Sequence, residues 1–353
     1  LNIEKPEIIA KATDHIQEML EFVQGLIKNG YAYETSKGIY FDISKLDKYP
    51  VLSNRKLDDQ IAGARVDVDT EKKNPYDFAL WIKAPENHIM KWESPWGLSY
   101  PGWHIECSAM GRKYLGDQFD IHTGGIDHIP THHENEIAQS KGLTGKIPAK
   151  TWMHVEFLQV DGGKMSKSLG NTYILDQLQE KGIEPLAYKL FCFTAHYRTK
   201  LNFTFDTALA TQKALTRLRE GFVKHQQGTE NIDEQEIKEY ENKFLETIND
   251  DLNMPAAMGI VWEIVRNEHK SNHFAELLLK FDKVLGLDLE NSKKYLEESK
   301  NVELPEDIQD LIEKRKEARE NKDWSLSDQI RDELKEKGYI VKDTKEGMTI
   351  EKV

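Results

Sequence analysis

The chain has 353 residues, of which 31% are charged, and its 61 acidic and 48 basic side chains give a net charge of −13. This length allows two or three domains with an ample core, and apolar residues at helical spacing in many segments exclude a disordered chain. No apolar run approaches the ~20 residues of a membrane span, and two cysteines argue against a disulfide framework and for a reducing, cytoplasmic location.

The first predicted elements are a helix and a hairpin. Apolar residues recur at helical spacing over 4–28, with Gly30 as the expected C-terminal cap. Segments 31–34 and 38–42 alternate around a Thr-Ser-Lys turn, which predicts a β-hairpin. Residues 45–98 are polar and irregular, with turn-like stretches at 54–56 and 71–75, and fit an insertion beside an active site. Within them, 77–81 predict a strand edge or a short helix.

A parallel β-α-β unit is predicted next. Segments 119–122 and 152–160 read as strands, separated by a Thr-Gly-Gly turn and a helix. Ligands of such sheets bind at the carboxyl ends of the strands. We therefore expect His122, Gly124, Gly125 and Asp127 at the edge of a site, with residues 162–171 just beyond the second strand.

The remainder is predicted to be mainly helical. Amphipathic or apolar segments at helical spacing predict a bundle of helices over 174–181, 185–195, 205–226, 234–249, 256–268 and 275–285. Cys192 lies in an apolar run and is interpreted as a core thiol. A charged linker is expected at 292–301. Helices at 305–320 and 325–337 and a closing hairpin at 338–344 and 347–352 are expected beyond it.

Three residues suggest a metal site. On a helix, His132 and Glu136 lie one turn apart on the same face, and a thiolate from Cys107 would complete the set. Thiolate, imidazole and carboxylate together suit Zn²⁺ better than a hard cation, and three protein ligands leave a position open for substrate. The alternative is a core thiol beside an ordinary helix N-terminus.

A second candidate site is the lysine loop, defined as residues 162–171. Gly162 and Gly163 permit unusual backbone angles, and Lys164 and Lys167 offer two point charges next to two serine hydroxyls. Such cations stabilise the charge that builds up when pyrophosphate leaves a triphosphate. The alternative is a solvated basic turn.

These motifs resemble those of a known family. Lys-Met-Ser-Lys-Ser at 164–168 is the lysine-loop signature of class I aminoacyl-tRNA synthetases. Gly-Trp-His-Ile-Glu-Cys-Ser-Ala-Met at 102–110 and His-His-Glu-Asn-Glu at 132–136 resemble the cysteinyl-tRNA synthetases, and the similarity runs from about Ile3 to the end. The resemblance implies ATP-dependent formation of cysteinyl-adenylate and transfer of cysteine to tRNA(Cys). It further implies one Zn²⁺ per chain, Mg²⁺ with the ATP, and a cytoplasmic monomer.

The resemblance also implies an α/β fold. The expected layout is a partial Rossmann-like catalytic domain with an insertion, a helical bundle and a small C-terminal α+β anticodon-binding domain. The expected boundaries are 1–45 for the end of the first catalytic half, 46–98 for the insertion, 99–185 for the second catalytic half, 186–300 for the bundle and 301–353 for the anticodon-binding domain.

Individual roles follow from the same resemblance. Cys107, His132 and Glu136 match three of the family's four zinc ligands, which would take the substrate thiolate. Binding of the thiolate by zinc would reject serine, a near-isostere of cysteine that a hydrophobic pocket cannot strongly reject. No editing domain is then required. The other implied roles are catalysis by Lys164 and Lys167, with Lys167 also contacting ATP; adenylate binding by His122, Gly124, Gly125 and Asp127; and substrate binding by Trp103 and His154.

The sequence departs from the family pattern in two places. Ile126 replaces a usual serine, Pro130-Thr131 replaces Phe-Pro, and an added His128 lies four residues before His132, which leaves an alternative ligand register open. The family's fourth ligand, an N-terminal cysteine, and its His-x-Gly-His signature have no counterpart. We therefore expect an N-terminally incomplete chain that is weak or inactive in adenylate formation on its own.

Contacts with tRNA are predicted in the C-terminal half. A basic ridge could follow the tRNA backbone although the chain is acidic, because only the local field matters. Its members are His196, Tyr197, Arg198, Lys200, Lys213, Arg217 and Lys224. The alternative is an ordinary solvated helix face. Trp324, in the region that resembles the anticodon-binding domain, is interpreted as packing rather than base stacking.

Three rival functions remain open from the sequence. One is a ligase that joins cysteine to a small amine, although relatives of that kind lack an anticodon module. Another is a non-catalytic tRNA-binding or regulatory fragment. The last is a zinc hydrolase built on the His-His-Glu cluster, which leaves the lysine loop unexplained.

Overall fold

A computed structural model describes residues 1–53, 70–300, 306–337, 339–344 and 347–352. The turn predicted at 54–56 lies outside these ranges. One compact unit consists of Glu4–Gln159 and Tyr197–Leu201, and the other of Leu1–Ile3, Val160–His196 and Asn202–Val353. Among the helices that the structure describes, none has the length and apolar character needed to cross a bilayer.

The first unit begins with helix α1 (Ile16–Lys28), which is shorter than predicted. The expectation of a helix from residue 4 is wrong, because Ile8 and Ile9 are 51% and 71% exposed and have no core to pack against. Burial on one face of α1 instead starts at Met19, which is fully buried. The predicted end is confirmed, since Gly30 follows the helix with a φ of +80°, a conformation that favours glycine.

An antiparallel sheet follows α1 in the chain. Its strands pair in the order β1 (Ala32–Thr35), β2 (Gly38–Phe41), β3 (Phe78–Lys83) and β4 (Ser99–Pro101). The predicted hairpin is confirmed, with Thr35 opposite Gly38. The segment predicted as a strand edge or short helix is instead an interior strand, because β3 pairs with both β2 and β4. Leu80 and Trp81 on β3 are accordingly almost fully buried.

The predicted parallel β-α-β unit is also confirmed. Helix α2 (Trp103–Leu115) precedes strand β5 (Phe119–Gly125), helix α3 (His132–Thr144) and strand β6 (Ala149–Val155). Strands β5 and β6 run parallel, and Gly124 lies opposite His154 near their carboxyl ends. The second strand was predicted as one piece, but the chain breaks after β6 and continues in β7 (Leu158–Val160).

One face of α3 anchors the segment 49–53. Glu134 is fully buried, and its carboxylate accepts backbone N–H groups from Val51, Leu52 and Ser53. Asn135 accepts a hydrogen bond from Tyr49 through its Oδ1 atom, at 2.6 Å. Because a buried carboxylate needs partners, these contacts fix α3 and the 49–53 segment to each other.

The second unit is mainly helical, as predicted. After strand β8 (Gly163–Lys164), the short strand β9 (Leu201–Phe203) separates the first two helices from the rest. The helices up to residue 285 are α4 (Leu175–Glu180), α5 (Pro185–Cys192), α6 (Phe205–Gln226), α7 (Glu234–Asn249), α8 (Met254–Arg266) and α9 (Asn272–Leu285). Their core includes Phe244 and Phe281, whose rings stack with centroids 3.8 Å apart.

The expected linker at 292–301 is wrong for most of its length, because Ser292–Lys300 form helix α10. Tyr295 explains the difference: the Arg219 guanidinium of α6 lies 4.0 Å from its ring centroid, and its hydroxyl donates to Asp288. The predicted end of the chain is confirmed. It consists of α11 (Glu306–Glu320), α12 (Trp324–Glu336) and an antiparallel hairpin of β10 (Tyr339–Thr344) and β11 (Gly347–Lys352).

Candidate metal centre and lysine loop

Two helices carry the predicted metal ligands. Helix α2 starts directly after Gly102, which lies so close to β3 that an added Cβ atom would be 2.3 Å from the carbonyl oxygen of Ala79. Glycine at this position lets α2 begin against the sheet, with Cys107 one turn into the helix. Helix α3 begins at His132 itself, so His132 and Glu136 lie four residues apart on one face.

The structure brings the three predicted ligands together. One potential ligand atom from each of Cys107, His132 and Glu136 lies within 4.8 Å of the other two. His132 and Glu136 are both 3% exposed, whereas Cys107 is partly buried. We call these three residues the metal centre.

The donor set fits a borderline-soft divalent cation such as Zn²⁺. The His132 Nε2 atom lies 2.8 Å from Glu136 Oε1, and this buried oxygen has no hydrogen-bond partner among the described residues. An unpartnered buried carboxylate oxygen is costly, and an ion would satisfy it. Cys107 and Glu136 also line a cavity of about 10 Å³, roughly the space of one water molecule or ion.

The pKa values of the metal centre also bear on this fit. Burial, aided by the nearby Glu136 and Glu106 carboxylates, raises the pKa of the Cys107 thiol to about 12. Burial alone would raise the pKa of Glu136, but the imidazoles of His122 and His132 outweigh it and hold that pKa at about 2. At neutral pH the carboxylate is therefore ready to bind a cation, while the thiol must release its proton to do so.

The sequence interpretation missed two buried histidines beside these ligands. The His104 Nδ1 atom lies 2.9 Å from the Nδ1 atom of His132, and burial, then the neighbouring His132, lowers the pKa of His104 to about 4. His133 Nδ1 lies 2.8 Å from His154 Nε2, and burial lowers the pKa of His133 to about 3. One sequence signal could have identified them: His104 directly follows Trp103, and His133 directly follows His132, both of which were already assigned to the site.

His122 and His133 form a second group of potential ligands with Glu136, again within 4.8 Å of one another. His122 Nε2 lies 3.0 Å from Glu136 Oε2, so the two carboxylate oxygens face different imidazoles. His128, the alternative ligand, belongs to neither group of described residues; its ring centroid lies 4.9 Å from that of His132. The geometry therefore favours the register that contains His132.

Three of the four residues predicted to bind adenylate lie at or just beyond the carboxyl end of β5, whereas His122 lies in the middle of this strand. Gly124 and Gly125 end β5, and Asp127 lies in the single 3-10 turn that follows. An added Cβ atom at Gly124 would lie 2.7 Å from His128 Nδ1 and 2.8 Å from His133 Nε2. Gly124 thus leaves room for the imidazoles beside it.

The two residues assigned to the amino-acid substrate differ in exposure. Trp103 is 56% exposed, and its ring centroid lies 4.3 Å from that of His132. His154 lies on β6, where it is partly buried against His133. Trp103 therefore presents an open aromatic surface directly next to the metal centre.

The lysine loop belongs to the other unit and is exposed. Lys164 lies on β8, and Lys167 begins a 3-10 turn that ends before Gly170, whose φ is +66°. The loop is closed by Asn171, whose Oδ1 atom accepts the Ser166 N–H at 2.8 Å and whose Nδ2 atom donates to the Lys164 carbonyl at 3.0 Å. Both lysine side chains are exposed.

The basic residues of the predicted ridge have different environments. Lys213, Arg217 and Lys224 are exposed along α6, but the exposed Glu220 lies between Arg217 and Lys224 at helical spacing. The His196 Nε2 atom lies 2.9 Å from the Asp251 carbonyl oxygen, and Lys200 lies 3.8 Å from Glu156. The exposed cations of α6 are therefore interrupted by one carboxylate.

Two families match the sequence. Residues 1–214 match the family described as tRNA synthetases class I (C) catalytic domain, and residues 301–350 match the cysteinyl-tRNA ligase anticodon binding domain. The first match covers the residues of both the metal centre and the lysine loop.

Two curated relatives are similar along nearly the whole chain. Cysteine–tRNA ligase 1 of Burkholderia lata is 42% identical over 353 residues, which cover 99% of this chain and 73% of that protein. Cysteine–tRNA ligase of Treponema denticola is 40% identical over 370 residues, which cover 97% of this chain and 75% of that protein. The chain thus spans about three-quarters of the length of each relative.

Proposed function

The chain belongs to the cysteine–tRNA ligases, which are class I aminoacyl-tRNA synthetases, and from this premise we propose that its metal centre selects cysteine by its thiol. Its reaction is the ATP-dependent attachment of cysteine to tRNA. The proposal concerns which side chains perform each part of that reaction. The observation that carries it is the buried Glu136 Oε1 atom, which has no hydrogen-bond partner among the described residues and lies beside Cys107 and His132.

Selection against serine is the first task. Cys107, His132 and Glu136 would hold one Zn²⁺, which when bound supplies a Lewis acid that stabilises a thiolate far better than a hydroxyl group. Shape alone cannot make this distinction, because a hydrophobic pocket discriminates poorly between near-isosteres. Trp103, exposed next to His132, would cover the substrate side chain, and His154 would lie beside the bound cysteine.

Activation requires charge stabilisation rather than a covalent enzyme intermediate. A carboxylate oxygen of cysteine attacks the α-phosphorus of ATP, the bond from that phosphorus to the bridging oxygen breaks, and pyrophosphate with Mg²⁺ departs. Lys164 and Lys167 would stabilise the negative charge that develops on this leaving group. The exposed position of both ammonium groups leaves them accessible to a triphosphate.

The adenylate would lie along the ends of β5 and β6. Gly124 and Gly125 carry no side chains that would block the nucleotide, Asp127 would accept hydrogen bonds from the ribose hydroxyls, and His122 would border the adenylate. These positions are the usual binding edge of a parallel sheet.

Contacts with tRNA follow a proposed domain layout. Residues 1–45 and 99–185 would form the catalytic domain around an insertion at 46–98, and 186–300 would form the helical bundle. Residues 301–353 would bind the anticodon. The exposed cations of α6 would contact phosphates, and the enzyme would act as a monomer.

Cobalt substitution tests the selection step directly. In protein reconstituted with Co²⁺, we expect a thiolate-to-cobalt absorption band from Cys107, and cysteine should intensify this band while serine leaves it unchanged. A band that responds equally to both amino acids, or to neither, would refute selection by the metal centre. Aminoacylation assays with tRNA and with small amines would then separate a tRNA ligase from a small-amine ligase. The match of residues 301–350 to an anticodon binding domain argues against the small-amine ligase.

A further inference from the structure

Two imidazoles, the buried His104 and the partly exposed His122, contact the metal centre without belonging to its predicted ligand set. The His104 ring is 9% exposed and packs edge-on against Phe78, with ring centroids 5.7 Å apart. The His122 ring packs edge-on against Trp152 at 4.9 Å. Both rings are therefore held in place by neighbours other than the ligands.

His104 determines which nitrogen of His132 is free. The two Nδ1 atoms lie 2.9 Å apart, a distance that requires one proton between them. If His132 binds a cation through Nε2, its remaining proton is on Nδ1. His132 then donates and His104 accepts, and this hydrogen bond holds the His132 ring with Nε2 directed at Glu136 Oε1, 2.8 Å away.

His122 has the corresponding effect on the carboxylate. Its Nε2 atom lies 3.0 Å from Glu136 Oε2, and an N–H donated across that distance would occupy this oxygen. The other oxygen, Oε1, is left buried and without a hydrogen-bond partner in the described part of the chain. A carboxylate bound on one side in this way presents a single oxygen to an ion.

We propose that His104 and His122 are positioning residues of the metal centre: His104 orients the ligand His132 by accepting its Nδ1 proton, and His122 orients the ligand Glu136 by donating to Oε2. The inference rests on the metal centre of the proposed function. It assigns to each ligand an outer partner, as ligating histidines and carboxylates generally have. Neither residue touches the ion in this assignment.

Matched substitutions separate positioning from packing. His104→Phe keeps a ring but removes the acceptor, whereas His104→Asn places an amide oxygen near the position of Nδ1. His122→Phe and His122→Gln form the same contrast, with the glutamine amide nitrogen near the position of Nε2. His88→Phe is the control, because His88 stacks on Tyr100 at 4.0 Å in the same unit and lies at neither ligand.

The measurement is the Zn²⁺ dissociation constant, from competition with a chromophoric chelator, together with the absorption spectrum of the Co²⁺ protein. We expect His104→Phe and His122→Phe to weaken binding by roughly 10- to 100-fold and to change the cobalt spectrum. His104→Asn and His122→Gln should restore binding to within a few-fold of the unsubstituted chain, and His88→Phe should leave it unchanged.

The outcomes separate this inference from the proposed function. Phenylalanine variants that bind Zn²⁺ as tightly as the unsubstituted chain, with an unchanged cobalt spectrum, would overturn the positioning roles while the metal centre stands. Amide variants as weak as the phenylalanine variants would also overturn them, because only the ring would then matter. An unsubstituted chain that binds no Zn²⁺ would instead refute the metal centre itself, and with it the inference.

Discussion

The metal centre and the lysine loop differ in how their polar groups are held. In the metal centre, His132 and Glu136 are 3% exposed, and each contacts a further imidazole at about 3 Å. In the lysine loop, Lys164 and Lys167 are exposed, and one side chain, Asn171, links the two sides of the loop. The first site is fixed by buried contacts, whereas the second is held by a few exposed ones: the Asn171 amide and the Asn202 Oδ1 atom, which accepts the Gly162 N–H at 2.8 Å.

In the proposed function the two sites perform different chemical tasks. Telling a thiol from a hydroxyl depends on exact ligand geometry, and a buried site with partnered ligands maintains that geometry. Stabilising a departing pyrophosphate needs positive charge near a group that moves away. Exposed lysines on a short loop suffice for this. Substitutions in the two regions should therefore have separable effects on metal affinity and on rate.

Replacing the thiolate ligand should have the largest effect. In Cys107→Ser we expect Zn²⁺ affinity to fall by on the order of a thousand-fold, because structural zinc sites bind with more than 10 kcal/mol and a hydroxyl is a poor replacement for a thiolate. Chelator competition measures the dissociation constant. Cys192→Ser is the matched control, since Cys192 lies on α5 in the other unit, and it should bind normally. Equal affinities for the two variants would remove Cys107 from the metal centre.

Removing one loop cation should slow activation without affecting the metal. The assay uses the chain extended to the length of its relatives, because the chain alone is expected to be weak in adenylate formation. For Lys167→Met in this extended form we expect a fall of roughly 100- to 1,000-fold in the rate of cysteine-dependent ATP/pyrophosphate exchange, the usual cost of losing one charge-stabilising group. The Zn²⁺ dissociation constant should stay the same. Lys181→Met, a substitution outside the loop, provides the comparison. If Lys167→Met lost metal rather than rate, the two regions would not act separately.

Local sequence signals explain which elements could be predicted. Helices α6 and α7 match their predicted bounds, and each has an N-cap that the sequence displays: Thr204 accepts the Thr207 N–H, and Asp233 accepts the Gln235 N–H. The failures concern partners distant in sequence. Ile8 and Ile9 repeat at helical spacing but lack a surface to cover, and Tyr295 makes a charged stretch helical through its contact with Arg219.

The same distinction applies to the site. The i, i+4 spacing of His132 and Glu136 indicated a shared face, and the motif around Cys107 supplied the third ligand. His104 could not be found in this way, because its contact with His132 depends on how α2 packs against α3. No spacing within either helix encodes the 2.9 Å between their Nδ1 atoms.

Metal affinity should depend on pH by about tenfold per unit. Because burial raises the pKa of Cys107 to about 12, this group is a thiol between pH 7.5 and 9, and each ion bound as a thiolate complex releases one proton. Glu136, with a pKa of about 2, releases none. The Zn²⁺ dissociation constant should therefore fall as pH rises. Chelator competition across this range, corrected for the chelator's own protonation, measures how steeply the dissociation constant depends on pH. In Cys107→Ser this dependence should be weaker by one proton per ion bound, because no thiol remains to ionise.

A smaller effect is expected from the amide that bridges the lysine loop. Asn171→Ala removes the hydrogen bonds to the Ser166 N–H and the Lys164 carbonyl, each worth about 1 kcal/mol or less at a partly exposed position. The exchange rate should fall by about fivefold, with the Zn²⁺ dissociation constant unchanged. Asn171→Asp keeps the acceptor for Ser166 and loses the donor to Lys164, so an intermediate rate would indicate that both bonds position the loop. A rate for Asn171→Ala equal to that of the unsubstituted chain would mean that ATP, rather than the amide, orders the lysines. The two regions would then differ further, because the metal centre is formed before substrate binds and the loop would be organised by its substrate.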